Sequence, residues 1–318
     1  MKLLFILDPL TSLKSYKDTS IAIMREAAAR GHTLFVCEQH DVFLQNEVVH
    51  IQAKVFNFAD TGNATTSETW FKLGVNHTVL PKEFDAILMR KDPPFDNEYL
   101  YSTYLLELAV NQGARVINNP STVRSWNEKL STAKFPQFTP EFLVTANNDL
   151  IRAFLSQHQD IIIKPLDGMG GTGIFRLTES DPNIGVVLEI STQFGTQTVM
   201  VQRYLPAILQ GDKRIIVING EPLPFALARI PKAGETRGNL AAGGTGVAQA
   251  LTKRDLEIAT TVGKTLKNAG LFLVGLDVIG DYLTEINVTS PTGMVEIATQ
   301  TNCNPAQVFM DTLEGISD

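Results

Sequence analysis

Apolar residues fall along this chain in short blocks whose spacing alternates between strand-like runs and helix-like stripes. Leu3–Leu7 is a continuous apolar run of strand length. Asp18 or Thr19 offers an N-cap to a helix carrying Ile21, Met24, Ala27 and Ala28 on one face, and Gly31 ends it. Leu34–Cys37 is a second strand, so the chain opens as a βαβ unit, which predicts a parallel sheet with right-handed crossovers. From His40 to Val79 the pattern is too weak to assign an element. Asp85–Arg90 reads as another strand, stopped by Lys91-Asp92-Pro93-Pro94. That stop places Arg90 and Lys91 at the C-terminal edge of a parallel sheet, where open α/β folds bind ligands; an exposed loop charge is the competing reading.

A helix over 97–112 is expected to bury Leu100, Tyr101, Tyr104, Leu105 and Leu108 before Gly113 ends it, with a strand at Ala114–Ile117. Turn chemistry at Asn118-Asn119-Pro120-Ser121 places a first boundary near Pro120. A helix through Asn127-Glu128-Lys129-Leu130 follows, on which Lys129 reads as a phosphate contact or as a solvated lysine. Further helices are predicted over 149–158, 183–194 and 254–268, and strands over 199–205, 213–218 and 223–230. The last two are joined by Asn219-Gly220, a strong hairpin signal.

The stretch with the most chemistry in it is IIIKPLDGMGGTGIFR, residues 161–176. Three β-branched residues make a buried strand, Lys164 ends it, and Pro165 has no N–H for the ladder. Gly168, Gly170 and Gly173 spell G-x-G-x-x-G, but a dinucleotide fold needs a helix next, and a strand-like Ile174-Phe175-Arg176-Leu177 follows. A Walker A loop fails as well, because Ile174-Phe175 stands where Lys-Ser/Thr is required. A glycine hairpin between strands remains, a geometry that presents backbone N–H groups to phosphates, with Lys164 as fixed charge. A flexible hairpin with a lysine pointing to solvent is the other reading. Residues 231–246, PKAGETRGNLAAGGTG, have no apolar period; a loop of that length is functional or disordered, and Arg237 with Arg229 before it suits a lid closing on an anion.

Two late strands, 272–279 and 283–288, carry Asp277, Glu285 and Asn287. Glu285 and Asn287 share a face because they are two apart. Asp277 joins them if the connecting loop has three residues, Gly280-Asp281-Tyr282, and faces away if it has two. The three-residue loop also pairs Leu276 with Ile286 on the reverse face and is the expected one. Two carboxylates and an amide oxygen, with no nitrogen or sulfur donor, suit Mg²⁺ bridged to phosphates.

Composition narrows the class. At 318 residues, 44% hydrophobic and 19% charged, the chain has material for about two domains, or three small ones, and a sizeable core. Twenty-seven basic against 34 acidic residues, net −7, argue against nucleic acid or an anionic membrane as partner. Cys37 and Cys303 lack metal-like spacing and the five histidines are scattered, which fits a reducing compartment and no zinc site. The apolar start reaches Asp8-Pro9 too soon for a signal sequence, so a cytoplasmic protein is expected.

Taken together, MRKDPPFD (89–96), KPLDGMGG (164–171), GDKR (211–214), ARIPKAGETRGNLAAGG (228–244) and VGLDVIGDYLTEINVTSPTG (274–293) resemble the prokaryotic glutathione synthetases of the ATP-grasp superfamily. The resemblance covers essentially the whole chain. It implies an α/β fold of ATP-grasp architecture behind an N-terminal parallel-sheet domain. The implied division is a substrate-side domain at 1–122, a small domain with the glycine hairpin at 123–201, and a domain at 202–318 with the lid (230–246) and the Mg²⁺ site. It implies ATP-dependent joining of γ-glutamylcysteine to glycine through an acyl phosphate, with Mg²⁺, or Mn²⁺ in its place. Another ATP-grasp carboxylate–amine ligase and a non-catalytic ATP-binding regulator are the alternatives.

By the resemblance, Lys129 and Lys164 meet the ATP phosphates, and Gly168, Met169, Gly170 and Gly171 form the hairpin over them. Gln202, Arg203, Tyr204 and Leu205 meet the adenine, with Asp212 near the ribose. Arg90, Arg214, Arg237 and Asn239 are implied on the substrate side, Arg229 with Arg214 and Lys164 in catalysis, and Asp277, Glu285 and Asn287 as metal ligands. It also implies a homo-oligomer such as a tetramer, small-molecule substrates, and no nucleic-acid or membrane partner. Thr245 and Val247 depart from the family where charge is commoner, and Val295 stands where an arginine often follows Ser290-Pro291-Thr292.

Overall fold

The computed structural model describes residues 1–59, 70–235, 237–238 and 243–316. The opening βαβ unit is present: β1 (Lys2–Leu7), α1 (Thr19–Ala29) and β2 (Thr33–Glu38), with the two strands parallel. Asp18 caps α1, its carboxylate accepting from the Ile21 N–H. The unassigned region holds β3 (Val42–Gln45), β4 (Val48–Phe58) and β5 (Phe71–Val79), all antiparallel neighbours. Strand β5 is exposed along nearly all its length, so there no buried face imposes alternation, whereas β4 does alternate, burying Val49, Ile51, Ala53 and Phe56. The chain then returns to the parallel core with β6 (Ala86–Met89), α2 (Asn97–Asn111) and β7 (Val116–Ile117). The sheet order is β3-β4-β2-β1-β6-β7 with β5 on β4, so the N-terminal sheet is parallel only over β2-β1-β6-β7 and mixed overall.

Two expectations for this half are corrected. Helix α2 buries Tyr99, Ser102, Thr103, Leu106 and Ala109, while Tyr101, Tyr104 and Leu108 are exposed. The inward stripe keeps helical spacing but anchors on Tyr99 and Leu106 with Ser102, Thr103 and Ala109 between; counting apolar residues alone passes over the two hydroxyl-bearing positions and selects the neighbouring face. The helix at 127–130 is absent. A short α3 (Pro120–Ser125) precedes it, a 3₁₀ turn at Leu130–Lys134 follows, and Asn127–Lys129 lie in the bend between.

The middle of the chain is a four-stranded antiparallel sheet of order β10-β9-β11-β8. In sequence it runs β8 (Phe142–Thr145), α4 (Asn148–His158), β9 (Asp160–Pro165), β10 (Phe175–Thr178), α5 (Ile184–Ser191) and β11 (Val199–Arg203). Its apolar core, with Ile151, Leu155, Ile163 and Val201 among its members, is separate from the rest.

The last sheet has the order β14-β13-β12-β15-β16. Its parts are β12 (Asp212–Ile218), β13 (Glu221–Ile230), β14 (Thr245–Ala250), α6 (Lys253–Asn268), β15 (Leu273–Ile279) and β16 (Tyr282–Asn287), then α7 (Met294–Gln300) and α8 (Pro305–Gly315). The β12–β13 turn falls at Asn219-Gly220, with φ of 49° and 87°. Unlike the middle sheet, this one shares its cores with the N-terminal sheet: Leu4 and Ile87 cluster with Leu276 and Ile286, and Phe5 and Leu88 with Ile216 and Phe309. Asn118, which the sequence marks only as turn chemistry, fastens the two sheets. Its amide oxygen accepts from the N–H groups of Phe272 and Leu273 at 2.7 and 2.8 Å, and its NH₂ donates to the carbonyls of Leu273 and Val288, both at 2.8 Å.

Candidate active site

Between the middle and last sheets lies a cavity of about 480 Å³ that collects most of the residues singled out from sequence. Strand β9 delivers Lys164 to its floor, and the chain then turns through the glycines before β10 returns antiparallel, Phe175 opposite Ile163. No helix follows the glycines, as expected. Gly170, Gly171 and Gly173 have φ of 64°, 84° and 73°, a conformation in which only glycine is unstrained. Gly168, Met169, Gly170 and Gly171 all line the cavity.

Lys164 is buried; its ammonium donates to the Thr284 carbonyl at 3.3 Å and lies 3.5 Å from a Glu285 oxygen. Burial, only partly countered by Glu285, lowers its pKa. Lys129 is 2% exposed, which excludes a solvated lysine. It donates to the Gly168 carbonyl at 2.8 Å and pairs with Glu128. Although burial works against its charge, Glu285 and Glu128 prevail and raise its pKa. Glu128 itself, burdened by burial and then by the Glu285 charge, is pushed up to about 7.

On the edge formed by β11, Gln202, Tyr204 and Leu205 are buried against the cavity. The Gln202 amide nitrogen is enclosed and has no partner among the described residues. Arg203 borders the cavity but turns its guanidinium to Glu141 at 2.8 Å.

Strands β12 and β13 pair Asp212 with Arg229, and β12 and β15 pair Arg214 with Asp277. These side chains form one buried network. Arg214 grips both Asp277 oxygens, and Arg229 bridges Asp212 and Asp277, the latter at 2.8 Å. Burial disfavours the Asp277 charge, but the two guanidiniums outweigh it and hold the carboxyl well below the usual range. Asp212, with burial only partly offset by Arg229 and with Asp277 and Glu285 against it, is pushed up to about 7.

The acidic hairpin keeps the expected pairing by a different route. Asp277 stands opposite Glu285, and Leu276 opposite Ile286. The loop nevertheless has two residues, since Ile279 pairs with Tyr282; the ladder slips between Asp277 and Val278, and Thr284 is the extra residue. That bulge has work of its own: the Thr284 hydroxyl donates to the Asp277 carbonyl at 3.1 Å and its carbonyl receives Lys164. Glu285 and Asn287 line the cavity while Asp277 lies behind the arginines. Among the described residues no three His, Cys, Asp or Glu side chains gather as a metal site, so any cation there would rest on two carboxylates and the Asn287 oxygen.

Arg90 is buried, not an exposed loop charge; it donates to Ser20 at 2.9 Å and to the Pro291 carbonyl at 3.0 Å, below the cavity floor. Arg237, half-exposed, pairs with Glu235 and reaches the Gly171 carbonyl at 3.5 Å, so the chain at Arg237 meets the glycine hairpin. Gly238 lets this segment lie against β13, where any side chain would strike the Arg229 carbonyl. Asn239 lies outside the described residues. Sequence reasoning missed Glu128, Thr284 and Glu296, all of which line the cavity; only Glu128 carried a signal, its place beside Lys129.

Comparison with known proteins bears on this geometry. The prokaryotic glutathione synthetase N-terminal domain family matches residues 1–124, and the ATP-grasp domain family of the same enzymes matches residues 128–302. A glutathione synthetase of Nitrosomonas europaea is 56% identical over 314 residues, covering 99% of this chain and 98% of the relative. One from Pseudomonas aeruginosa is 51% identical, covering 98% and 97%. The fold is shared with the D-cycloserine synthetase DcsG at a TM-score of 0.67 and 14% identity, and with the ATP-grasp ligase PsnB at 0.61 and 15%; 98% of this chain is covered in both, with 98% and 97% of the two solved chains. No helix among the described residues is long and apolar enough to cross a membrane. With both halves matched by the family's own domains and relatives above 50% identity end to end, the chain belongs to the prokaryotic glutathione synthetase family, ATP-dependent carboxylate–amine ligases of ATP-grasp fold.

Proposed function

We propose that this chain joins γ-glutamylcysteine to glycine with ATP, forming glutathione, ADP and phosphate. The observation that carries this is the end-to-end identity with curated glutathione synthetases, together with one cavity that holds Lys129, Lys164, Arg214, Arg229, Glu285 and Asn287. In this reading the adenine lies against Gln202, Tyr204 and Leu205 and the backbone of Arg203, where the unpartnered Gln202 amide would donate, and Asp212 receives the ribose. The triphosphate runs to Lys129 and Lys164 beneath the N–H groups of Gly168–Gly171.

The donor carboxylate attacks the γ-phosphorus, ADP leaves, and an acyl phosphate forms. The acceptor amine then attacks the acyl carbon and phosphate departs. Arg229, with Arg214 beside it, faces the charge that develops on the tetrahedral oxygen, and Arg237 closes the site against water. Asp277, Glu285 and Asn287 fit Mg²⁺ or Mn²⁺ by donor chemistry, since all three offer oxygen and the first two stand opposite one another. Such a cation, when bound, offsets phosphate charge. Arg90 supports the substrate side through the Pro291 carbonyl, and Asn239 belongs to the lid. The three sheets support lobes at 1–122, 123–201 and 202–318; within the middle range Val123, Trp126, Phe135 and Phe138 pack in the core shared by the first and last sheets, and the rest has a core of its own. A homo-oligomer in the cytoplasm completes the reading.

Phosphate release from ATP, measured with each substrate alone and with both, tests the function. Release that requires γ-glutamylcysteine and is coupled one-to-one to peptide when glycine is added is expected. Turnover indifferent to both would refute it.

A further inference from the structure

Carboxylates around the cavity nearly all have a partner on at least one oxygen. Asp18 accepts from the Ile21 N–H, Asp92 from Ser290, Glu128 pairs with Lys129, Asp277 is held by arginines on both oxygens, and Asp212 is held by Arg229 through Oδ2, its Oδ1 being enclosed without a partner. Glu296 differs. It lines the cavity from the first turn of α7, its Oε2 is enclosed, and no hydrogen bond or ion pair engages that carboxylate among the described residues. An enclosed anionic oxygen without a donor is costly, so the site calls for a cationic N–H from a ligand.

Helix α7 fixes where that ligand sits. Gly293, one turn before Glu296, packs on the side chains of Leu227 and Arg214; a Cβ there would meet them at 3.4 and 3.7 Å. Glu296, just inside the helix, lines the same cavity as Arg214 and Arg229. One turn further on, Gln300 is tied to the foot of the lid: its Oε1 accepts from the Ala248 N–H at 2.9 Å and its NH₂ donates to the Gly246 carbonyl at 3.1 Å. Gly246 stands opposite Arg229 in the β13–β14 ladder. Glu296 therefore lies between Arg214 and the base of the lid, not at the β9–β11 end assigned to the nucleotide.

We infer that Glu296 binds the ammonium group of the amine acceptor and holds it beside the acyl carbon. The nitrogen gives up one proton before it attacks and a second as the amide forms, and the two leave with the departing phosphate. The inference rests on the ligase reading above. The acceptor nitrogen must come within bonding distance of the carbon whose oxygen faces Arg229, and Glu296 is the anion left uncommitted there.

The test is Glu296→Gln, which keeps size and hydrogen-bonding capacity and removes the charge. Losing a charge-assisted contact raises the glycine KM about 10- to 100-fold. The KM values for ATP and γ-glutamylcysteine stay within about twofold. Hydroxylamine, uncharged at neutral pH, serves as a second acceptor: the variant is expected to form hydroxamate at the wild-type rate, and Glu296→Asp to recover part of the glycine affinity. A raised γ-glutamylcysteine KM with glycine unchanged would overturn the inference in favour of the donor's own ammonium. Equal losses with glycine and hydroxylamine would overturn it in favour of a structural role. Failure of the wild-type enzyme to join γ-glutamylcysteine to glycine would bring down the ligase reading itself, and this inference with it.

Discussion

Lys164→Met separates what the cavity costs from what it binds. The ammonium is buried, and its lowered pKa says that burial disfavours the charge more than Glu285 and the Thr284 carbonyl favour it. Methionine of similar volume removes that disfavoured charge, and Glu285 keeps Lys129 at 3.9 Å, so the replacement leaves no carboxylate stranded. The nucleotide-free variant is thus expected to melt no lower than wild type. ATP at about 100 times its Kd stabilises the wild type by about 2.7 kcal/mol. A lysine–phosphate contact contributes about 1.5–3 kcal/mol, so losing it weakens binding about 40-fold at mid-range. The same ATP concentration then adds about 0.7 kcal/mol. At about 2 °C per kcal/mol for a chain this long, the ATP-induced rise in Tm falls from about 5 °C to about 1.5 °C. Lys129→Met should behave oppositely without nucleotide. Its charge is favoured by Glu285 and Glu128, and breaking that buried pair costs about 3 kcal/mol. Thermal melts of both variants with and without ATP decide the matter. A Lys164→Met protein with the wild-type ATP shift, or one destabilised as far as Lys129→Met, would refute the reasoning.

Arg229→Met should lower kcat about 10²- to 10³-fold with little change in ATP affinity, read by steady-state kinetics. Asp277→Asn and Glu285→Gln should raise the Mg²⁺ concentration needed for half-maximal ADP release; an unchanged requirement would remove these residues from the metal site. Gly238→Ala pushes the lid segment off the Arg229 carbonyl, so more ADP should form per peptide as water reaches the acyl phosphate. Asn118→Ala strands four buried backbone groups and should cost at least about 4 kcal/mol in a urea melt without changing KM in the protein that remains folded.

Elements with a buried face were legible in the sequence. The βαβ opening, the Asn219-Gly220 turn and the strands flanking the glycines carry apolar runs bounded by residues with one local meaning. The glycine loop was legible because glycine and lysine there answer a backbone constraint and a charge constraint at once. The inward face of α2 escaped because it mixes Tyr99 and Leu106 with Ser102 and Thr103, hydroxyl-bearing residues that an apolar count leaves out. What else escaped depended on partners far along the chain. Lys129 looked solvated because the Gly168 carbonyl that receives it is 39 residues away. The bulge at Thr284 escaped because pairing parity was counted from loop length alone, and an extra residue restores the parity that a two-residue turn breaks.

Charges across the cavity stand beside their opposites. Lys129 rests on Glu128, Lys164 approaches Glu285, Arg229 bridges Asp212 and Asp277, and Arg237 holds Glu235. Under the proposed function, a triphosphate entering alone would take the lysines and set its charge against carboxylates that had just lost their partners. A divalent cation entering alone would take Glu285 and Asp277 and face the released lysine and arginines. The two together would leave each of these charges matched, with phosphates on the cations and the metal on the carboxylates. The same exchange would free the Arg229 guanidinium from Asp277, the condition the proposed role sets for it to face an acyl oxygen. Nucleotide, metal and the readiness of Arg229 would then form one coupled equilibrium, set by the facing of Asp277 and Glu285 across two strands.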